Sequence, residues 1–226
     1  MSNESLSIVF PVYNEAEVLP LLKSEVERHF NKRPGNVEFL FVDDGSTDAS
    51  LKLLEEWGKN DPRVRVISFS ANQGHQQAIK EGMLRSSGDW VVTMDSDLQD
   101  PLGTVDSMLA KTSEGYDIIH AQRITRQGES LHRKISAWMY YRIVKFFFVS
   151  DLMLDVGDFR LMSRQSVKEY FNGFARTNLI RADIPRLKFK QCAIPYHRQK
   201  RAAGKSKFTL GKLIDLAMSF SRKSKS

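Results

Sequence analysis

The sequence contains a single cysteine, Cys192. That excludes an internal disulfide framework and any all-cysteine metal site. Only 7 prolines and 13 glycines are present, too few for a collagen-like or low-complexity chain. No apolar run approaches the roughly 18 residues that mark a membrane-spanning helix. The longest apolar patch surrounds Phe146-Phe147-Phe148-Val149 and suits contact with a membrane surface rather than passage through it. The opening Met-Ser-Asn-Glu-Ser has no basic stretch ahead of an apolar run, so no signal peptide is expected. A lysine-bearing phosphate loop and a dinucleotide fingerprint are both missing, which leaves a nucleoside-triphosphate hydrolase or a dehydrogenase unsupported. His75, His120, His132 and His197 are scattered without a zinc-protease spacing, and no nucleophile-elbow motif occurs.

What is present is a globular composition with a divided charge. Apolar residues make up 41% and charged residues 27%, and the net charge is +7. Residues 1–120 carry 11 Lys/Arg against 20 Asp/Glu, and residues 121–226 carry 23 against 7. The halves therefore differ in sign, −9 against +16, which predicts two surfaces with different partners. The first half alternates short apolar runs with helical periodicity. Strands are expected near Leu6 to Phe10, Val37 to Val42, Val64 to Phe69, Trp90 to Met94 and Asp117 to His120. Helices are expected between them, the first from Glu15 with Asn14 and Glu17 as a capping box, the second capped by Thr47. This alternation predicts an α/β fold with a mostly parallel sheet covered on both faces. The second half predicts an aromatic, basic helix over Leu131 to Val149, a loop and then a strand within residues 151–163, a strand over Lys188 to His197, and an amphipathic helix over Phe208 to Phe220.

Acidic residues gather just after the expected strand ends, where open α/β sheets bind ligands. Asp95 and Asp97, two residues apart after the fourth strand, suit one hard cation such as Mg²⁺ or Mn²⁺, with Gln99 and Asp100 as further oxygen donors. Asp43 and Asp44 suit reading a base or ribose, and equally suit capping their turn. Arg123, Arg126, Arg133, Arg198, Arg201 and Lys205 suit anionic phosphate; the competing explanation is a solvated basic face. Asp158 is a candidate acid or base, or else an ion-pair partner of Arg160. Cys192, in an expected strand, reads as a packing residue.

Together these segments resemble the inverting glycosyltransferases of family 2, of the GT-A fold, and more narrowly the polyprenyl-phosphate hexosyltransferases such as dolichol-phosphate mannose synthases and bactoprenol glucosyltransferases. The resemblance rests on Pro11-Val12-Tyr13-Asn14-Glu15, on Phe41 through Asp48, on Asn72 through Ala78 and on Asp95 through Pro101. It continues in Gln122-Arg123, in Gly157 through Arg164 and in the basic loop from Arg198 to Lys207. It implies that Pro11, Tyr13, Glu15, Asp43, Asp44, Gln73 and Asp95 line the nucleotide. It implies that Asp95, Asp97 and Gln99 hold the metal, and that Arg123, Arg126, Arg133, Ser136, Arg201 and Lys205 bind donor or acceptor phosphate. Asp97, Asp158 and Arg133 would be the catalytic set. Arg181-Ala182-Asp183-Ile184-Pro185-Arg186 departs from the family's usual glycine-containing aromatic stretch.

The activity implied is transfer of a hexose from a GDP- or UDP-linked sugar to polyprenyl phosphate. Residues 1–120 would form the donor and metal region, and residues 121–226 the acceptor-binding, membrane-proximal region of one continuous catalytic domain. An anionic membrane surface is the expected partner, with a peripheral position on the cytoplasmic face. A chain ending at this length would call for a membrane-protein partner. The alternatives are a soluble, cytoplasmic relative acting on a polysaccharide, protein or small-molecule hydroxyl, and a non-catalytic binder of nucleotide sugar. No nucleic-acid partner is expected, because zinc-finger spacing and RNA-binding aromatic motifs are both missing.

Overall fold

The computed structural model describes residues 4–31, 36–125, 156–173 and 180–199. The helices expected over Leu131 to Val149 and Phe208 to Phe220 lie outside them, as do Arg126, Arg133, Ser136, Arg201 and Lys205. The strands are β1 (Leu6–Val12), β2 (Val37–Asp43), β3 (Val64–Ser68), β4 (Trp90–Thr93), β5 (Ile118–Thr125), β6 (Val156–Ser163) and β7 (Gln191–His197). The helices are α1 (Leu19–Phe30), α2 (Ser50–Asn60), α3 (His75–Arg85), α4 (Gly103–Thr112), α5 (Arg164–Gly173) and the short α6 (Ile180–Asp183).

One seven-stranded sheet runs β3-β2-β1-β4-β6-β5-β7. Pairings β1–β2, β1–β4, β2–β3 and β5–β7 are parallel, whereas β6 is antiparallel to both β4 and β5. The sheet is therefore mixed, with one reversed strand wedged between two that point the same way. Residue 120, where the charge changes sign, falls inside β5, and β6 and β7 extend the same sheet.

The central strands are apolar on both faces because both are covered, as buried parallel strands require. Ile8, Phe10 and Val12 alternate with Val9 along β1. The first set packs with Phe39, Phe41 and Val92 beneath α1, α2 and α4. Val9 joins Leu40, Val91 and Met162 beneath α3, α5 and α6. Phe10 stacks on Phe41 at 4.9 Å between ring centres, and Trp57 of α2 lies 4.8 Å from Phe41. On the other face α3 approaches so closely that a Cβ at Gly82 would come within 2.2 Å of Val9 Cγ1.

Two expected caps are not caps. Helix α1 starts at Leu19, with Val18 at its N-cap and no side-chain cap bond. Asn14 instead sits at φ 52° and turns its side chain to the next loop. Helix α2 starts at Ser50, and the side chain that receives its first amide is Asp48, at 2.9 Å, not Thr47. In both places the polar side chain bonds across loops or to a nearer amide, a competition open to Asn, Asp and Thr alike.

Gly45, at φ +68°, follows Asp44, and a Cβ there would lie 2.5 Å from the carbonyl carbon of Ala71. An alanine would be strained both by its own conformation and by that backbone. Gly45→Ala is expected to cost about 2 kcal/mol or more in urea unfolding, whereas Gly103→Ala, where a Cβ meets nothing within 4 Å, should leave the midpoint unchanged or raise it. Equal midpoints for Gly45→Ala and the parent chain would show that the two loops are not packed as described.

Candidate active site

Strand direction gathers the site. The C-terminal ends of β1, β2, β3 and β4 all face one edge of the sheet because these strands are parallel. Reversed β6 begins at that edge, bringing Asp158 to it, and β7, parallel to β5, ends there with His197. The loops after four strands, the start of a fifth and the end of a sixth thus meet in one place, the location expected for ligands in open α/β sheets.

The loops after β1 and β2 are locked together. Asn14 Oδ1 accepts from the amides of Thr47 (2.7 Å) and Asp48 (3.2 Å), while the Asn14 amide donates to Ser46 Oγ at 2.9 Å. The Glu15 amide donates to Ser50 Oγ at 2.8 Å, and Glu15 is buried. Asp43 is buried; one carboxylate oxygen accepts from the Ser46 amide at 3.1 Å, and the other has no hydrogen-bond partner among the described residues. Asp44 receives the amides of Gln73 (2.7 Å) and Gly74 (3.0 Å) at the start of α3. Burial pushes the Asp44 carboxyl up, and these amides oppose that only in part. Pro11 is tied in by its carbonyl, which accepts from Ser96 Oγ at 3.1 Å.

The loop after β4 carries three carboxylates around one guanidinium. Arg198, just past β7, lies 3.3 Å from Asp95 Oδ2, 3.7 Å from Asp97 Oδ2 and, through Nε, 3.4 Å from Asp100 Oδ1. Asp100 also accepts from the Tyr196 hydroxyl at 2.6 Å, and that hydroxyl accepts from Arg123 Nε at 3.0 Å. Burial and then the Asp95 charge push the Asp100 carboxyl up to about 6. Gln99 and Gln199 bond twice, amide to carbonyl at 2.8 Å and side chain to carbonyl at 3.2 Å.

Asp158 is sealed. Arg181 grips it in a fork, Nε to Oδ1 at 2.9 Å and a terminal nitrogen to Oδ2 at 2.6 Å. Gln76 donates to Oδ2 at 3.0 Å, and His75 Nε2 lies 3.2 Å from the same oxygen and 3.5 Å from Asp95 Oδ1. Burial alone would raise this carboxyl, but the Arg181 charge and the bonds from His75 and Arg181 hold it well below the ordinary carboxylate range. Burial lowers His75 in turn, and the Asp158 bond and the Asp95 and Asp158 charges outweigh it, leaving the imidazole raised. Arg160 lies 3.5 Å from Asp158 and gives its hydrogen bond to the Gly157 carbonyl at 2.7 Å. Arg181, not Arg160, is therefore the principal partner of Asp158.

Pro11, Tyr13, Glu15, Asp43, Asp44, Gln73, Asp95, Asp97, Gln99, Arg123 and Asp158 thus all lie on or beside this edge. Sequence reasoning missed His75 and Arg181, and set Arg198 against phosphate, where the structure sets it against carboxylates. The histidine was legible only as part of a loop, and the Arg181 contact spans 23 residues. Among the described residues no three His, Cys, Asp or Glu side chains form a metal site on their own. Asp95 and Asp97 nevertheless fit a hard cation, since both already turn toward a positive group. A magnesium-like ion would complete its shell with substrate phosphate and water.

Comparison with known proteins agrees with this geometry. The family model described as glycosyl transferase family 2 matches residues 7–171. An uncharacterized glycosyltransferase, YkcC of Bacillus subtilis, is 40% identical over 94% of the chain, which spans 66% of that protein's length. The bactoprenol glucosyl transferase of Shigella phage SfV is 33% identical over 94% of the chain and 69% of its own length. A mannosyltransferase from Pyrobaculum calidifontis, solved with GDP-Man and Mn2+, shares the fold at a TM-score of 0.58 and 15% identity, over 84% of this chain and 54% of that one. With acidic strand ends gathered on one edge of a mixed α/β sheet, the chain belongs to glycosyl transferase family 2 and is a glycosyltransferase.

Proposed function

We propose that the protein transfers a hexose from a GDP- or UDP-linked sugar to a polyprenyl phosphate, with inversion at the anomeric carbon. The observation that carries this reading is the state of Asp158. A sugar hydroxyl needs a carboxylate base to become a nucleophile. The buried carboxylate best placed to be one is held ionised by a forked arginine, with its acidity increased, and a weakened base accepts protons poorly. A phosphate monoester has a second pKa of about 6 and is largely ionised at neutral pH, so it needs no base. Asp158 then serves by holding His75 beside Asp95, with Gln76 and Arg181 as its other partners. The similarity to a bactoprenol glucosyl transferase over nearly the whole chain supports the same acceptor class.

Asp43, Asp44, Tyr13, Glu15 and Gln73 would hold the nucleotide. Asp95, Asp97 and Gln99 would hold Mg²⁺ or Mn²⁺, which supplies positive charge to the departing diphosphate. Arg123 reaches that loop through the Tyr196 hydroxyl, which donates to Asp100. Arg126, Arg133, Ser136, Arg201 and Lys205, outside the described residues, would take donor and acceptor phosphate. The excess of +16 over residues 121–226 supports a peripheral position on an anionic, cytoplasmic membrane face. Among the described residues no helix is long and apolar enough to cross a membrane.

Four measurements test this. With purified protein in detergent, mass analysis should find hexosyl phosphopolyprenol; transfer to soluble sugar hydroxyls alone would overturn the acceptor. In that assay kcat/KM should rise through about pH 6 and then level off. Asp158→Asn should be slower yet keep the same profile, and loss of the acidic limb in this variant would make Asp158 the base after all. Asp97→Ala should lose about 10²–10³ in rate while keeping its Tm, and chelator should abolish turnover in the parent chain; an undiminished rate in excess chelator would refute a metal role. Co-sedimentation with vesicles should increase with anionic lipid and fall with salt. Equal, negligible binding to neutral and anionic vesicles at low salt would remove the membrane assignment.

A further inference from the structure

We infer that Arg198 is a resident counter-cation of the Asp95–Asp97–Asp100 loop, which a divalent ion must displace, so that metal binding is linked to the position of the chain leaving β7. The inference rests on the metal reading above and extends it to a residue that reading does not use.

The geometry is specific. Arg198 is three-quarters or more buried, at 21% side-chain exposure, and faces three carboxylates within 3.7 Å. Without a positive group there, Asp95, Asp97 and Asp100 would repel one another in a partly desolvated pocket, at considerable cost. A cation bound by Asp95 and Asp97 would stand within a few ångströms of the guanidinium. The two positive charges repel one another across those oxygens, so occupancy by one weakens the other. A ligand shifts an equilibrium only by its unequal affinity for the two states, and here the inequality is direct charge repulsion.

Space for the displaced group is present. On its other side Arg198 borders an open cleft of about 480 Å³, lined also by Pro101, Thr104, Ser107 and Tyr196, between the start of α4 and the end of β7. Arg198 itself lines this cleft, which is the direction its displacement would take. Its neighbour Gln199 is joined to Gln99 by two hydrogen bonds, so departure of Arg198 pulls on a contact with an expected metal ligand. The coupling must be reciprocal: whatever holds the β7 end away from the loop strengthens metal binding, to the extent that the metal moves that end.

The test measures metal affinity without turnover. Free Mn²⁺ is titrated by its electron paramagnetic resonance signal against the parent chain, Arg198→Gln, Arg198→Lys and Asp97→Asn, each with and without nucleoside diphosphate. Removing the guanidinium charge should tighten Mn²⁺ binding about tenfold or more in the absence of nucleotide. Arg198→Lys, which keeps a charge, should stay near the parent. The Mn²⁺-induced rise in Tm should be larger for Arg198→Gln than for the parent, as tighter binding requires. Should Arg198→Gln fail to fold without metal, folding on addition of Mn²⁺ but not of NaCl at equal ionic strength would support the same conclusion. If Arg198→Gln binds Mn²⁺ as the parent does or more weakly, while Asp97→Asn loses binding, the counter-cation role is wrong and the metal site stands. If Asp97→Asn binds Mn²⁺ like the parent, the metal reading itself fails and takes this inference with it.

Discussion

Like-charge repulsion among carboxylates crowded onto one sheet edge is the constraint on which the site depends. Strand direction brings Asp43, Asp44, Asp95, Asp97, Asp100 and Asp158 there, and most are buried. Buried charges persist only when paired or hydrogen-bonded. Each group is answered differently. Asp44 is met by backbone amides, Asp158 by a forked arginine, and the Asp95–Asp97–Asp100 loop by one shared guanidinium. Each answer comes from a different part of the chain, so the site forms only when the whole sheet does.

The different compensations suit different tasks. Amides at the start of α3 cannot leave, and they make Asp44 a fixed acceptor for a ligand donor. The Arg181 fork is tight and its partner fully enclosed, which makes Asp158 a rigid support with little basicity. The single guanidinium over the acidic loop is held by longer contacts of 3.3–3.7 Å and can be exchanged for another cation. Fixed and exchangeable charge thus lie side by side, which suits the proposed transfer from a nucleotide sugar: a rigid seat for the donor, and positive charge for the leaving diphosphate.

The core keeps these loops in register. Phe41 packs within 5 Å of both Phe10 and Trp57, and this contact sets the depth at which β1 and β2 release their loops. On the opposite face Gly82 lets α3 lie directly on Val9, which fixes where the helix start, with Gly74 and His75, meets Asp44 and Asp158. Close packing of this kind transmits small displacements rather than absorbing them. The side chains that read as core in the sequence therefore also determine the geometry of the site.

The sequence by itself determined the α/β class, the strand–helix alternation of the first half, and the acidic loops after β1, β2 and β4. These depend on local periodicity and on residue types at strand ends, and neighbouring residues carry both signals. It placed Asp95-Ser96-Asp97 and Asp43-Asp44 at the C-terminal edge of the parallel strands for the same reason. It misread Asn14 and Thr47 as caps, because a capping side chain and a loop-bridging one have identical local spacing and differ only in what lies 33 residues away. Reversal of β6, the sealing of Asp158 by Arg181, the meeting of His75 with Asp95, and the seat of Arg198 among three carboxylates were decided by tertiary structure alone. Strand order and direction are set by which faces find cover, and an ion pair across 23 or 103 residues leaves no period or motif in the chain that makes it.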